Sequence, residues 1–304
     1  MGHDLYRDLS CAKRLFDEAE AATHLPLRKV CFEGPSEELA RTDICQPAIF
    51  TVSAATLAAM RDLLSPEQLE KARPAFLAGL SLGEYTALYA GGAVDFQSAV
   101  RLVARRGLLM QEAAIAVPSG MVSILGLDQA KAQELCRAAS DGQVLVCANF
   151  NCPGQIVLSG HLEACRRAEA MAKDFGASGA VPLKVAGAFH SPLMQSAADG
   201  LAEALKKVEL RRPKTPVISN VTARPHGDPG SIRKLLVDQL TSPVLWQQGC
   251  EYLAQNGMDQ AVEVGPGRVL AGLMRRINSR IRVTCLNSRQ AVEKLGGVAA
   301  PHGL

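Results

Sequence analysis

A serine held between two glycines, Gly79-Leu80-Ser81-Leu82-Gly83, stands where the short apolar run Ala75-Phe76-Leu77-Ala78-Gly79 gives way to a helix-forming run, Leu82 to Tyr89. A strand that turns sharply into a helix at such a sequence is a nucleophile elbow. The reading carries three expectations. Glycine is needed on both sides of the serine, because a Cβ there would strike neighbouring backbone. The Ser81 hydroxyl stands clear of the sheet. The N–H of Leu82, at the helix N-terminus, faces the place where an oxyanion would form. The same letters also fit an ordinary Gly-rich turn in which Ser81 is only an N-cap, and taken alone they leave both readings open.

The pattern around the elbow sets the fold class. Residues 1–24 read as helical, and Pro47 as the first-turn proline of a helix from Ala48 to about Leu64. Asp95 reads as the N-cap of a helix reaching about Ala114. From 121 to about 187 the order becomes β-α-β-β-α-β, with Asp128 opening the first helix and an Asn-Phe-Asn-Cys-Pro-Gly turn between the middle strands. Further on come helices at 192–208, 231–240, 245–255 and 269–277, with strands at 216–220 and 260–264. Alternation of strand and helix predicts an α/β protein with a hydrolase-like parallel sheet covered by helices. The expected division is a large domain of residues 1–117 and 188–304 and an inserted small ferredoxin-like domain of residues 118–187.

Composition narrows the functions. With 304 residues, 48% apolar and 21% charged, the chain can bury a large core. Lys+Arg 33 against Asp+Glu 30 leaves a net charge of +3, which gives no support for a nucleic-acid binder. No unbroken apolar run approaches the ~18–20 residues that span a bilayer, and the opening Met1-Gly2-His3-Asp4-Leu5 is not a secretory signal. The nine cysteines are odd in number and form no CxxC pair, and the six histidines form no HxxxH. They predict reduced thiols, a cytoplasmic setting and no metal site.

The remaining candidates for chemistry are a base and a specificity group. His190 lies in Gly187-Ala188-Phe189-His190-Ser191-Pro192, at the junction of the small module and the following helix, where clefts form. His3 and His302 lie near the chain ends, His24 and His226 beside proline-containing loops, and His161 at a helix start. Arg106 falls on the apolar stripe of its helix, with Leu102, Val103, Leu109 and Met110 as its i±3 and i±4 neighbours. A guanidinium there needs an anionic partner. Spacing alone leaves open an internal salt bridge, a snorkelling side chain or a socket for a substrate carboxylate. Arg101 and Arg105 read as solvated.

Six stretches, in order along nearly the whole chain, carry a resemblance: Cys45-Gln46-Pro47-Ala48-Ile49-Phe50, Gly79 to Tyr85, Arg106 to Ala113, Asn149 to Gln155, Gly187 to Met194, and Glu263-Val264-Gly265-Pro266-Gly267. The chain resembles the malonyl-CoA:acyl carrier protein transacylase family and the acyltransferase domains of polyketide synthases. The resemblance implies Ser81 as the acylated nucleophile and His190 as its base and later acid. It implies that a main-chain carbonyl at Gln239, rather than an aspartate, orients the imidazole. Arg106 would hold the free carboxylate of malonyl, Gln46 would line the site, and Leu82 would give an oxyanion N–H. Asn149 and Asn151 would face the site from the small module, and Ala188-Phe189-His190 looks like the malonyl-preferring form. The substrates implied are malonyl-CoA and an acidic acyl carrier protein, in a ping-pong reaction of fatty acid or polyketide synthesis. No cofactor, nucleic acid or membrane is implied, and a monomer is expected. Candidate docking cations are Arg211-Arg212 with Lys214, and Arg275-Arg276.

Two departures accompany the resemblance. Leu80 stands where the family more often has His. Family members also open with an apolar strand and a Gly-Gln-Gly-Ser/Ala-Gln loop upstream of the segment matching Met1 to Tyr6; that loop supplies a second oxyanion donor, and the expectation is a natural start further upstream. Two other classes compete. One is a serine thioesterase or esterase, whose His usually falls late in the chain. The other is an impaired, shortened acyltransferase that only binds carrier protein.

Overall fold

A computed structural model describes residues 1–297; His302 lies outside them. The larger core is built on two long helices, Thr42–Leu63 and Phe96–Ala116. Phe50, Val52 and Ala55 of the first meet Val100, Val103 and Met110 of the second in one buried cluster, which Leu15 and Phe16 from Ser10–Thr23 and Leu201 and Leu205 from Gln195–Lys206 complete. The Phe96–Ala116 helix begins where its sequence says it should, since the Asp95 side chain accepts the N–H of Ser98. The Thr42–Leu63 helix begins earlier than Pro47 suggests. The N–H groups of Ile44 and Cys45 already bond to the Arg41 carbonyl, so the proline sits inside the helix. This helix is long and apolar enough to cross a membrane, yet 72% of its most apolar window is buried within the protein, as befits a core helix.

Four antiparallel strands form a separate sheet in the order β2-β3-β1-β4, namely Leu145–Cys152, Gln155–His161, Ser119–Leu125 and Gly179–Pro182. With the helices Gln129–Ser140 and Leu162–Met171, the element order is β-α-β-β-α-β. The two helices cover one face through Leu135, Ala139, Ala164 and Ala168, packed on Ile124, Ile156 and Leu158. Asn149, Phe150, Asn151 and Cys152 are strand residues rather than turn residues; only Pro153-Gly154 turns the chain. On the other face Met121, Ala148 and Val157 pack against Phe189, the residue before His190. One parallel bridge, Asn149 to Val244, ties the sheet to the loop before the Trp246–Gln255 helix.

The parallel part of the fold is smaller than the sequence suggests. β5 (Gln260–Val264) and β6 (Arg282–Leu286) pair in parallel. The runs at 75–79 and 216–220 meet at a single parallel bridge, Leu77 to Val217, and form no extended strands. The Leu77 N–H reaches the Pro216 carbonyl at 2.8 Å and the Ile218 N–H returns to the Leu77 carbonyl at 2.9 Å. That bridge is enough to fix the elbow that follows it.

Candidate active site

Ser81 precedes the Leu82–Ala90 helix with φ 51° and ψ −102°, a backbone geometry that non-glycine residues rarely adopt. The strain has a visible support. The Asn220 side chain spans the elbow, accepting the Ser81 N–H at 2.6 Å and donating to the Gly79 carbonyl at 2.8 Å. A Cβ on Gly79 would lie 2.0 Å from the carbonyl carbon of Gly83, so glycine is required there. The expectation for Gly83 needs correction, since a Cβ on that residue would meet nothing within 4 Å. The two glycines meet face to face, and only one of them must lack a side chain.

The three groups singled out by sequence converge. Ser81 Oγ lies 2.9 Å from His190 Nε2, and His190 Nδ1 lies 2.7 Å from the main-chain oxygen of Gln239. The carbonyl can only accept, so Nδ1 carries the proton and Nε2 is free to accept from the Ser81 hydroxyl. His190 is buried, and burial first, then the nearby Arg106 charge, push its pKa down to about 4, against a weaker upward pull from the Gln239 carbonyl. The imidazole is therefore neutral, as a general base must be.

Arg106 donates from Nη2 to Ser81 Oγ at 2.9 Å and to Gln239 Oε1 at 2.9 Å, and from Nη1 to Gln46 Oε1. The guanidinium also lies over the Tyr85 ring, 5.2 Å from its centroid. It is 1% exposed, and burial lowers its pKa. No carboxylate forms a salt bridge with it among the described residues, and its buried Nε has no hydrogen-bond partner. Of the readings that spacing left open, the internal salt bridge and the snorkelling side chain are both gone. Arg101 and Arg105, by contrast, are exposed.

Three residues that sequence reasoning did not single out complete the site. Glu84 is fully buried on the first turn after Ser81. Its Oε1 lies 2.6 Å from His226 Nε2, and its Oε2 accepts the Asn220 N–H at 3.0 Å and Gln239 Nε2 at 2.7 Å. Glu84 directly follows the elbow motif, but a glutamate on a first helical turn gives no signal by itself. Asn220 and His226 are more than a hundred residues away along the chain, and no local pattern marks them. Asn149 is buried, and its register partner Val157 belongs to the cluster with Phe189, so it sits on the sheet face toward His190. Asn151 carries a buried Oδ1 with no partner. Neither asparagine bonds to Ser81, His190 or Arg106 among the described residues. Leu82 heads the helix, with one of the N–H groups that no intrahelical carbonyl satisfies.

A family model described as "Acyl transferase domain" matches residues 1–285. The chain belongs to the acyl transferase domain family. A malonyl CoA-acyl carrier protein transacylase from Bacillus subtilis is 40% identical over 294 residues, covering 96% of this chain and 90% of that protein. The crystal structure of an acyl-carrier-protein-S-malonyltransferase from Bartonella henselae superposes with a TM-score of 0.92 at 37% identity, covering 98% of this chain and 95% of that one. A malonyl-transacylase solved in complex with its type II PKS acyl-carrier protein superposes at 0.89, with 38% identity and coverage of 98% and 94%.

Within this acyl transferase domain the two candidate cationic patches fall in different places. Arg211, Arg212 and Lys214 line a cavity of about 650 Å³ together with Arg61, Arg73 and Tyr89. That cavity adjoins the C-terminal end of the nine-residue helix whose N-terminus holds Ser81, about 13 Å along its axis. Arg275 and Arg276 end the Val269–Ile277 helix, where Leu273 and Met274 share a cluster with Leu80 of the elbow. Arg276 donates to Gln155 Oε1 and to the Pro153 carbonyl, each at 3.1 Å, at the tip of the small sheet.

Proposed function

We propose that this acyltransferase moves a malonyl group from coenzyme A to the phosphopantetheine thiol of an acyl carrier protein, through a malonyl ester on Ser81. One observation carries the reading: a fully buried guanidinium touches the nucleophile at 2.9 Å and is bonded to no anion among the described residues. A malonyl ester on Ser81 places its free carboxylate one methylene beyond the ester carbonyl, within reach of the planar Arg106 fork. An acetyl ester leaves that charge unanswered. The names of the relatives point to the same substrate and the same partner.

The steps follow from the geometry. Ser81 Oγ attacks the thioester carbonyl while His190 Nε2 takes its proton. The Gln239 carbonyl holds the imidazolium through Nδ1–H, and the Leu82 N–H faces the oxyanion. The carbon–sulfur bond breaks, and His190 returns the proton to the departing coenzyme A thiolate. In the second half the phosphopantetheine thiol gives its proton to His190, its sulfur attacks the ester carbonyl, and Ser81 Oγ leaves with the proton. Malonyl carboxylate bound to Arg106 would cancel one of the two influences that hold His190 down, so the right acyl group also strengthens the base.

Gln46 and Gln239 hold the guanidinium in plane, and Phe189 with Asn149 and Asn151 shapes the side of the cleft facing the small sheet. The reaction needs side chains and two thiols only, so we assign no cofactor or metal. A monomer working in the cytoplasm, away from membrane and nucleic acid, fits the nine cysteines, all present as free thiols. For the acidic carrier, Arg275 and Arg276 suit docking better than Arg211, Arg212 and Lys214, because their helix packs beside the elbow. The test is intact mass after malonyl-CoA, then after addition of holo carrier protein. The expected result is a malonyl adduct on Ser81 that moves to the carrier, and no adduct in Ser81→Ala. Rapid release of free malonate without transfer would make the protein a thioesterase instead.

A further inference from the structure

Glu84 is a buried charge that the proposed reaction does not use. Its carboxylate nevertheless reaches both loops that hold the reacting groups. Through Oε2 it accepts the main-chain N–H of Asn220, whose side chain clamps the strained elbow on either side of Ser81. Through the same oxygen it accepts Gln239 Nε2. Gln239 in turn offers its side-chain Oε1 to Arg106 and its main-chain oxygen to His190 Nδ1. His226 Nε2 occupies the remaining oxygen at 2.6 Å, and both side chains of that pair are fully buried. One carboxylate thus lies a single residue away from the nucleophile, the base and the carboxylate socket.

The orientation of the Gln239 amide is the sensitive point. An amide has one accepting and one donating end, and a flip exchanges them. With Nε2 anchored on Glu84 and on the Ser81 carbonyl at 3.1 Å, Oε1 must face Arg106. A flipped amide would aim N–H groups at the guanidinium and an oxygen at the carboxylate, two repulsive contacts at once. The amide also keeps Glu84 from pairing with Arg106 directly. The cation is supported one group away, and its Nε–H and the second Nη1–H are left without a carboxylate partner among the described residues.

We propose that Glu84, braced by His226, is a positioning residue that sets the acyl preference of the enzyme through the side-chain amide of Gln239 and the reactivity of Ser81 through Asn220. The acyl-preference half rests on the malonyl-transfer reading; the Ser81 half does not.

The experiment measures Ser81 acylation rates with malonyl-CoA and acetyl-CoA, and separately with a fluorophosphonate, which needs no carboxylate socket. Wild-type protein is compared with Glu84→Ala, Glu84→Gln and Gln239→Leu. Glu84→Gln keeps an oxygen for Asn220 N and Gln239 Nε2 if His226 moves its proton to Nδ1, which has no partner now. It should retain activity within about tenfold. Glu84→Ala should slow the fluorophosphonate and acetyl reactions by about tenfold and the malonyl reaction by about a hundredfold, so that malonyl-to-acetyl preference falls. Gln239→Leu keeps the main-chain oxygen for His190 and should lose the same preference, even if Glu84→Ala does not fold. Equal loss on all three reagents in both Glu84→Ala and Gln239→Leu would mean a structural role only and overturn the proposal, as would a wild-type acyl preference in Gln239→Leu. Wild-type protein that reacts with the fluorophosphonate but not with malonyl-CoA would refute the malonyl reading, and the fluorophosphonate rates would still decide the Ser81 half.

Discussion

Arg106 and Glu84 are both fully buried, both charged and only one amide apart, yet the protein treats them in opposite ways. Both oxygens of Glu84 are filled, by a histidine, a main-chain N–H and an amide. Arg106 has neutral oxygens around it, an unpartnered Nε and, among the described residues, no bonded carboxylate. A buried charge whose bonds are complete belongs to the scaffold. One that has paid its desolvation without an opposite charge marks the place a ligand will complete.

The contrast can be broken by stability measurements. Glu84→Ala strands the N–H groups of Asn220, Gln239 and His226 together, and the expected loss is about 3–5 kcal/mol. Arg106→Ala removes an unpaired cation as well as its hydrogen bonds, so it should cost clearly less. Urea midpoints on both variants check this, and a larger loss for Arg106→Ala would reverse the assignment of scaffold and socket.

The pH dependence sharpens it. His190 has its folded pKa at about 4, below the ordinary 6.5, so between those values the unfolded chain binds the proton and the native protein does not. Stability therefore rises with pH across that window. The His190 contribution, on the order of 3 kcal/mol, is complete above about pH 6.5 and lost by about pH 4. His190→Gln should flatten the slope there. Because the Arg106 charge is one cause of the low value, Arg106→Ala should move the acid limb of the fluorophosphonate reaction to higher pH. A limb that stays in place would mean that burial alone, and not the Arg106 charge, sets the low His190 value.

The smallest effect concerns the elbow. Gly83→Ala places its Cβ in open space within a helix and should change stability by no more than about 1 kcal/mol, in the stabilising direction. Thermal unfolding checks it. A severe loss would mean that the turn demands glycine at both ends after all.

Much of this arrangement was legible in the chain. The elbow, the Asp95 and Asp128 caps and the β-α-β-β-α-β order all follow from local chemistry, and local chemistry survives into the structure. The misses share a cause. Apolar runs at 75–79 and 216–220 read as strands, but pairing is a non-local event, and the two runs meet only at the Leu77–Val217 bridge, with one further isolated bridge from Ile218 to Pro225. The run at 282–286, broken by Arg282, Thr284 and Cys285, has no clear strand pattern and yet does pair. Pro47 reads as a helix start because proline suits a first turn, while the first helical hydrogen bonds are accepted well before it by the Arg41 carbonyl, with no side-chain cap to signal it. Arg106 stood out because it interrupts an apolar stripe. Glu84 did not, because a glutamate on a first helical turn is unremarkable until Asn220, His226 and Gln239 arrive from distant loops.

On the proposed function, Arg106 is left without an anion so that the acyl group can supply one. Acylation of Ser81 by equimolar malonyl-CoA and acetyl-CoA, read by intact mass in wild-type protein and Arg106→Ala, tests it most directly. The expected result is a malonyl adduct on the wild type, and a loss of malonylation of about a hundredfold or more in the variant with acetylation retained or increased. Equal loss of both adducts in Arg106→Ala would contradict it.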